Sequence, residues 1–209
     1  MGSAVHSLGY LLFEVSDLDA WDQFLKEVVG AERGDTLGAG LRPYRTDDRA
    51  ARILLRQGPA DDLIALGFEA ASAERLHEVS AHIREAGCEV EAALPEDAKA
   101  RGVEGLIRTF EPGGVAVEVF HGPALAETPF RREKVVTGFV TGDQGIGHLA
   151  LRADNIAQTR SFFEQVLGFR LSDYIRCTLP GDFKVDVTLL HVNERHHTVA
   201  LGSGLEKPL

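Results

Sequence analysis

Cysteine is scarce: Cys88 and Cys177 are the only two in 209 residues, far apart and outside any CxxC spacing. This excludes a disulfide-stapled scaffold and a thiolate zinc ribbon, and the two residues read as isolated buried thiols. Basic charge is also in short supply. With 22 Lys and Arg against 32 Asp and Glu, the net charge of −10 excludes a partner recognised through a phosphate backbone, so no nucleic-acid binding is expected. No stretch approaches the roughly 18 consecutive apolar residues of a membrane span. The opening MGSAVHS is not followed by a signal-type apolar core and cleavage site. The expectation is a cytoplasmic chain with no membrane partner.

What the sequence has is a repeat. Leu8 to Asp35, LGYLLFEVSDLDAWDQFLKEVVGAERGD, matches Ile146 to Asp173, IGHLALRADNIAQTRSFFEQVLGFRLSD, without a gap. Gly9 pairs with Gly147, Leu11 with Leu149, Phe24 with Phe162, Gly30 with Gly168 and Asp35 with Asp173. One substitution stands out: Tyr10 falls opposite His148. A duplicated scaffold with a phenol in one copy and an imidazole in the other points to metal or acid–base chemistry in the second copy only.

Each copy opens on a two-residue period. Leu11, Phe13 and Val15 alternate with Tyr10, Leu12 and Glu14, which predicts a strand; Ser16 with Asp19 then suggests a capping box. Leu18, Trp21, Phe24, Leu25 and Val28 fall on one helical stripe that ends at Gly30. Leu41–Thr46 and Ala51–Gln57 form a hairpin around Asp47-Asp48. A second unit starts near Ile64 and continues into a helix over Ala73–Ala86, with Leu76, Val79, Ile83 and Ala86 inward. After a short strand near Glu89–Ala92, Pro95–Gly102 reads as a charged loop. Gly105–Phe110 and Val115–His121 then make a hairpin about Glu111-Pro112-Gly113-Gly114, with Glu118 on the face away from the valines.

Residues 123–145, rich in Pro, Gly and charge, read as a connection. The third unit restarts at Ile146 with a strand and a helix over Asn155–Leu167, in which Ile156, Thr159, Phe162, Phe163 and Val166 point inward. Strands are then expected over Phe169–Asp173, Arg176–Leu179, Val185–Val192 and Thr198–Leu201. The fold class is α+β: tandem βαβββ modules, three of an expected four. Residues 1–122 form a non-catalytic pair, 123–145 the connection and 146–209 the first module of a catalytic half. A fourth module is then expected, with the final GSGLEKPL as its lead-in.

Along the strand after Gly147, His148, Ala150 and Arg152 share one face while Leu149, Leu151 and Ala153 share the other. His148 thus reads either as a ligand facing a concave space or as a satisfied structural residue. The cluster Asn193-Glu194-Arg195-His196-His197 is open to two readings as well, an exposed polar turn or a source of one inward imidazole, since adjacent strand residues cannot share a face. His191 reads as an ordinary strand residue.

GDQGIGHLAL, FFEQVLGF, LSDYI and HVNERHHTVAL, with SLGYLLFEVSDLDAW and RGVEGLIRTFEPGGVAVEVFHG before them, resemble the two-domain type I extradiol ring-cleavage dioxygenases of the vicinal oxygen chelate fold. The resemblance covers essentially the whole chain. It implies cleavage of catechol-type rings such as 2,3-dihydroxybiphenyl with O₂ at Fe(II), Mn(II) being the alternative metal, and assembly into a homo-oligomer. It also implies that His148 is a metal ligand and that His197 is the acid–base catalyst; strand alternation, which puts Ala150 on the His148 face, is the ground for expecting Ala150 to line the substrate pocket. The second imidazole ligand of such proteins belongs to the fourth module, at a position C-terminal to that of Leu209, and the glutamate ligand lies further on. In the first half the positions matching the ligands are Tyr10, Ala65 and Glu118, and Glu118 reads as a relic of duplication. A binding or assembly protein of the same superfamily, without catalysis, is the second reading.

Overall fold

The computed structural model describes residues 3–38, 40–131, 135 and 137–203. Its elements in order are β1 (Ser7–Val15), α1 (Leu18–Gln23), β2 (Glu32–Arg33), β3 (Arg42–Arg45), β4 (Ile53–Gln57), β5 (Asp62–Glu69), α2 (Ala73–Glu85), β6 (Glu91–Ala92), α3 (Pro95–Arg101), β7 (Val103–Phe110) and β8 (Ala116–Pro123). The later ones are β9 (Leu149–Arg152), α4 (Ile156–Ser161), β10 (Arg170–Leu179), β11 (Phe183–His191) and β12 (Val199–Gly202). Three βαβββ units are present. In each, the first strand runs parallel to the last: β1 to β4, β5 to β8 and β9 to β12. The remaining strands add antiparallel, and β1 and β5 pair antiparallel to join the first two units into one sheet of order β2-β3-β4-β1-β5-β8-β7-β6. The third unit forms its own sheet, β10-β11-β12-β9, in which β9 pairs only with β12 among the described residues.

Helix ends follow local chemistry, with corrections. The first helix is capped by Asp17, whose carboxylate accepts from the Asp19 and Ala20 amides, and not by Ser16, whose amide instead donates to Asp61. Asp19 has too short a side chain to close a box with Ser16. After Gln23 the helix widens into a π-helical segment, Phe24–Val29, closed by Gly30 at φ +84°. That wider turn slips the 3.6-residue stripe: Leu25 stays buried, but Phe24 is 46% exposed and Val28 72% exposed, against expectation. In the third unit a similar segment, Phe162–Val166, keeps Phe162, Phe163 and Val166 buried as the periodicity predicts. Ala86, just past α2, is exposed. Pro95–Gly102, expected as a loop, is mostly α3: Pro95 occupies the first turn, where a missing N–H costs nothing, and Gly102 closes the helix in the left-handed region. The two strands expected over Phe169–Leu179 are the single strand β10. Both thiols are free and neither is fully buried as expected: Cys88, in the loop after α2, is half-buried, and Cys177, on the largely exposed second half of β10, is exposed. Part of the expected connection (132–134 and 136) and the expected lead-in from 204 onward lie outside the described residues.

The two sheets share one core. Leu66, Phe68, Val117 and Val119 from the first sheet and Leu76, Val79 and Ile83 from α2 belong to the same buried cluster as Leu149, Leu151, Phe162, Phe163, Phe169, Leu190, Val199 and Leu201. A second cluster, including Tyr10, Leu12, Leu54, Ala65, Ala98, Ala100, Leu106 and Phe120, lies on the other face of the first sheet, Ala65 and Leu66 being adjacent on β5 and in different clusters. The chain crosses between sheets at Gly145, which bridges Leu8; the Ile146 amide donates to the Leu8 carbonyl at 2.9 Å. Gly145 sits at φ +75°, and a β-carbon there would lie 2.2 Å from the Leu8 oxygen. Gly145→Ala is therefore expected to cost about 1–3 kcal/mol or more, read as a lower urea midpoint, because both backbone strain and a backbone clash oppose it.

Candidate active site

Strand alternation places the third unit's chemistry. Leu149, Leu151 and Ala153 are buried, whereas His148, Ala150 and Arg152 are exposed on the opposite face. Across the sheet Ala150 is level with Ala200, and Ala200 with Leu189, so these three small or apolar side chains lie abreast on the His148 face. Ile175 and Val187 extend the same face one rung further. Sequence reasoning does not single out Ala200, Leu189, Val187 and Ile175, although the two-residue period of their strands contains the signal.

The turn after β11 brings the second imidazole. Residues 192–196 form a bend and not a strand, so the alternation argument for adjacent histidines does not govern them. The His148 and His197 rings lie with centroids 4.2 Å apart and planes inclined by 47°. His196 is exposed, edge-on to His197, with the two Nδ1 atoms 3.1 Å apart. Partial burial pushes the His197 pKa below the usual histidine value, and the neighbouring His148 and His196 push it the same way. The neutral imidazole, a proton acceptor, is thus its favoured form near neutral pH. His191 is half-buried and bonded to the Ser172 hydroxyl.

The corresponding position in the first sheet is closed by an ion-pair network. Tyr10 donates to Glu118 at 2.6 Å; Arg101 donates to both Glu118 oxygens at 3.0 and 2.8 Å; Arg108 donates twice to one of them at 3.1 and 2.7 Å. Burial would raise the Glu118 pKa, but the Arg101 hydrogen bonds and charge, with help from Tyr10 and Arg108, outweigh it and hold the pKa below the ordinary value. Burial, and then the Glu118 charge, push the Tyr10 hydroxyl well above its ordinary value. Ala65, the third position matching a ligand, is buried in the apolar cluster around them. These three positions offer a metal no imidazole, and their one carboxylate already carries two guanidiniums.

Residues 8–58 match the family described as "Dihydroxybiphenyl dioxygenase BphC D1", and residues 145–208 match "Glyoxalase/Bleomycin resistance protein/Dioxygenase superfamily". The chain is 40% identical over 202 residues to biphenyl-2,3-diol 1,2-dioxygenase of Metapseudomonas furukawaii, covering 96% of this chain and 66% of the relative. To the enzyme of the same name from Pseudomonas sp. (strain KKS102) it is 38% identical, covering 96% and 68%. The chain belongs to the extradiol dioxygenase family. Among solved structures, a catechol 2,3-dioxygenase superposes with a TM-score of 0.88 at 32% identity, covering 97% of this chain and 72% of that one. The chain spans about two thirds of the length of the curated extradiol dioxygenases it matches.

Extradiol dioxygenases of this kind carry a metal by the resemblance above, and the donor set here can be tested against that. Among the described residues no three His, Cys, Asp or Glu side chains converge to hold an ion. His148 presents one exposed imidazole, and the described residues alone do not complete a metal centre. Among them, too, no helix is long and apolar enough to cross a membrane.

Proposed function

We propose that this chain serves extradiol ring cleavage, the opening of catechol-type rings with O₂ in aromatic-compound degradation. In this reading residues 1–122 are a non-catalytic pair, 123–145 the connection and 146–209 the first module of the catalytic half. The observation that carries the proposal is the His148–His197 pair, two imidazoles at 4.2 Å beside the apolar row Ala150, Ala200 and Leu189. His148 is proposed as one ligand of Fe(II), or of Mn(II), both of which accept imidazole and carboxylate donors; the metal would supply the open positions for the catechol oxygens and O₂. His197, neutral and half-buried, is proposed to take a proton from a substrate hydroxyl and later return it. Ala150, a methyl on the same face, leaves room for the flat ring. The reading extends to a homo-oligomer in a cytoplasmic setting, where thiols such as Cys88 and Cys177, both free, stay reduced.

The test is to purify the 209-residue chain without oxygen, add Fe(II), supply 2,3-dihydroxybiphenyl or catechol in air, and follow the yellow ring-opened product and the iron retained. The same assay is run on this chain joined to the last third of a relative. Turnover abolished by His148→Ala and lowered about 10²–10⁴-fold by His197→Ala supports the proposal. Turnover indifferent to His148→Ala removes the ligand assignment. If neither protein turns over substrate or retains iron, the non-catalytic binding reading takes its place.

A further inference from the structure

A turn with no ladder hydrogen bonds of its own is a loose mount for a catalytic side chain. His197 sits at the end of such a turn, yet its ring is placed against His148, which leaves the connection from a different direction. The two are tied by side chains that the proposed chemistry does not use. Within the turn, the Asn193 side-chain Oδ1 accepts from the Arg195 backbone N–H at 3.1 Å, shaping the bend. Outward, the Asn193 side-chain Nδ2 donates to the His6 carbonyl at 2.9 Å and the Gln144 carbonyl at 3.3 Å. Arg195 donates from Nε to the Gln144 carbonyl at 3.1 Å, and from Nη2 to the carbonyls of Val140 and Gly145.

These acceptors are not arbitrary. Gln144 and Gly145 end and follow the short 3₁₀ turn Gly142–Gln144, whose last carbonyls have no partner within the turn, and Val140 lies two residues before it. A planar guanidinium satisfies several such carbonyls at once, which an ammonium does not do in the same geometry. The gathered segment is itself held to the first sheet through Leu8, and it runs on from Gly145 to His148 in three residues. On the other side, Arg195 is two residues from His197. Both arms are short, so little slack separates the guanidinium from either imidazole.

We infer that Arg195, seconded by Asn193, is a positioning residue that sets the His148–His197 separation by clamping the His197 turn to the connection and to the start of β1. The non-catalytic half thereby contributes backbone anchors, His6 and Leu8, to the geometry of a site that contains none of its side chains. The inference rests on the reading of the two histidines as the catalytic pair, but its geometric content stands apart from catalysis.

The experiment uses two readouts. In the metal-free 209-residue chain with labelled histidine, the nuclear Overhauser effect between the His148 and His197 rings is measured in the parent, Arg195→Ala, Arg195→Lys, Asn193→Ala and the exposed control Glu194→Ala, with urea midpoints alongside. In whichever protein turns over catechol, kcat and KM are measured for the same set. In Arg195→Ala the inter-ring effect is expected to disappear while the fold persists, and kcat to fall about a hundredfold with KM within about twofold, the scale of a misplacement near 1 Å. Added guanidinium is expected to restore part of both; Lys should restore less, and Glu194→Ala should change neither. Should Arg195→Ala itself unfold, Asn193→Ala carries the comparison. An undiminished inter-ring effect in folded Arg195→Ala and Asn193→Ala overturns the inference, and so does a defect confined to KM, which would make Arg195 a substrate-binding residue. If the inter-ring effect depends on Arg195 but no parent protein turns over substrate, the positioning stands and the catalytic reading falls instead.

Discussion

Replacing Glu118 with alanine is expected to cost about 3–5 kcal/mol of stability, the scale for breaking a buried ion pair from one side. Glu118 is fully buried (0% exposed), and its two oxygens take five hydrogen bonds, from Tyr10, Arg101 and Arg108. Alanine would leave a buried phenol without its acceptor and two guanidiniums with only the longer contacts to Asp97 (3.5 Å) and Glu91 (3.9 Å), with Arg101 itself only 8% exposed. The pH dependence has a definite sign. Because the folded pKa of Glu118 lies below its ordinary value near 4.5, the stability it contributes is fully present above that value and is lost as pH falls through the folded value. Urea melts at neutral pH should therefore separate the parent from Glu118→Ala widely, and the gap should close as pH drops below about 4.5. Glu118→Gln keeps one acceptor and the shape of the side chain, so it should cost less and remove the pH dependence. A gap that is small at neutral pH would mean that the network is replaceable packing filler.

The same network shows which parts of the fold are legible in the chain. Glu118 is visible as the residue on the far side of a valine-faced strand, and its place after a Pro-Gly-Gly turn marks it as a counterpart of a ligand. That it anchors two arginines is not visible, because Arg101 lies in a segment that reads as a loop through Pro95, and no local period ties Arg101 or Arg108 to Glu118. The site has the same limit. His148 is legible from alternation and from the Tyr10 comparison, since both depend on spacing along one strand. The clamp made by Asn193 and Arg195 joins side chains to carbonyls some fifty residues or more away and leaves no periodic trace. Leu25 keeps to its stripe while Phe24 and Val28 leave it, because π widening in that helix is a tertiary outcome that a 3.6-residue template does not contain. In the third unit the equivalent widening leaves the predicted inward residues buried, for here Phe163 is locked from three sides.

Phe163→Ala is accordingly expected to cost about 3–5 kcal/mol, and to do so unevenly. The ring is fully buried, edge-on to Phe162, Phe169 and, across the boundary between sheets, Phe68, at 5.5, 5.1 and 6.2 Å. Phe68 also meets Phe169 at 5.4 Å, so four aromatic rings from β5, the helix of the third unit and its exit form one knot. Removing the central ring leaves a void that close-packed neighbours fill only partly. The buried residues of the other two clusters all lie between Tyr10 and Phe120, so the eight-stranded sheet keeps a core of its own when the knot fails. The expected signature is a split unfolding curve, with amides of β9, β11 and β12 losing hydrogen-exchange protection before those of β1, β5 and β8. A single cooperative transition merely shifted to lower urea would instead show that the backbone ties at Leu8, Gly145 and Arg195 suffice to keep the sheets together. Because His148 and His197 both ride on the smaller sheet, a split transition should separate their rings in the first phase, while the Tyr10–Glu118 network persists into the second.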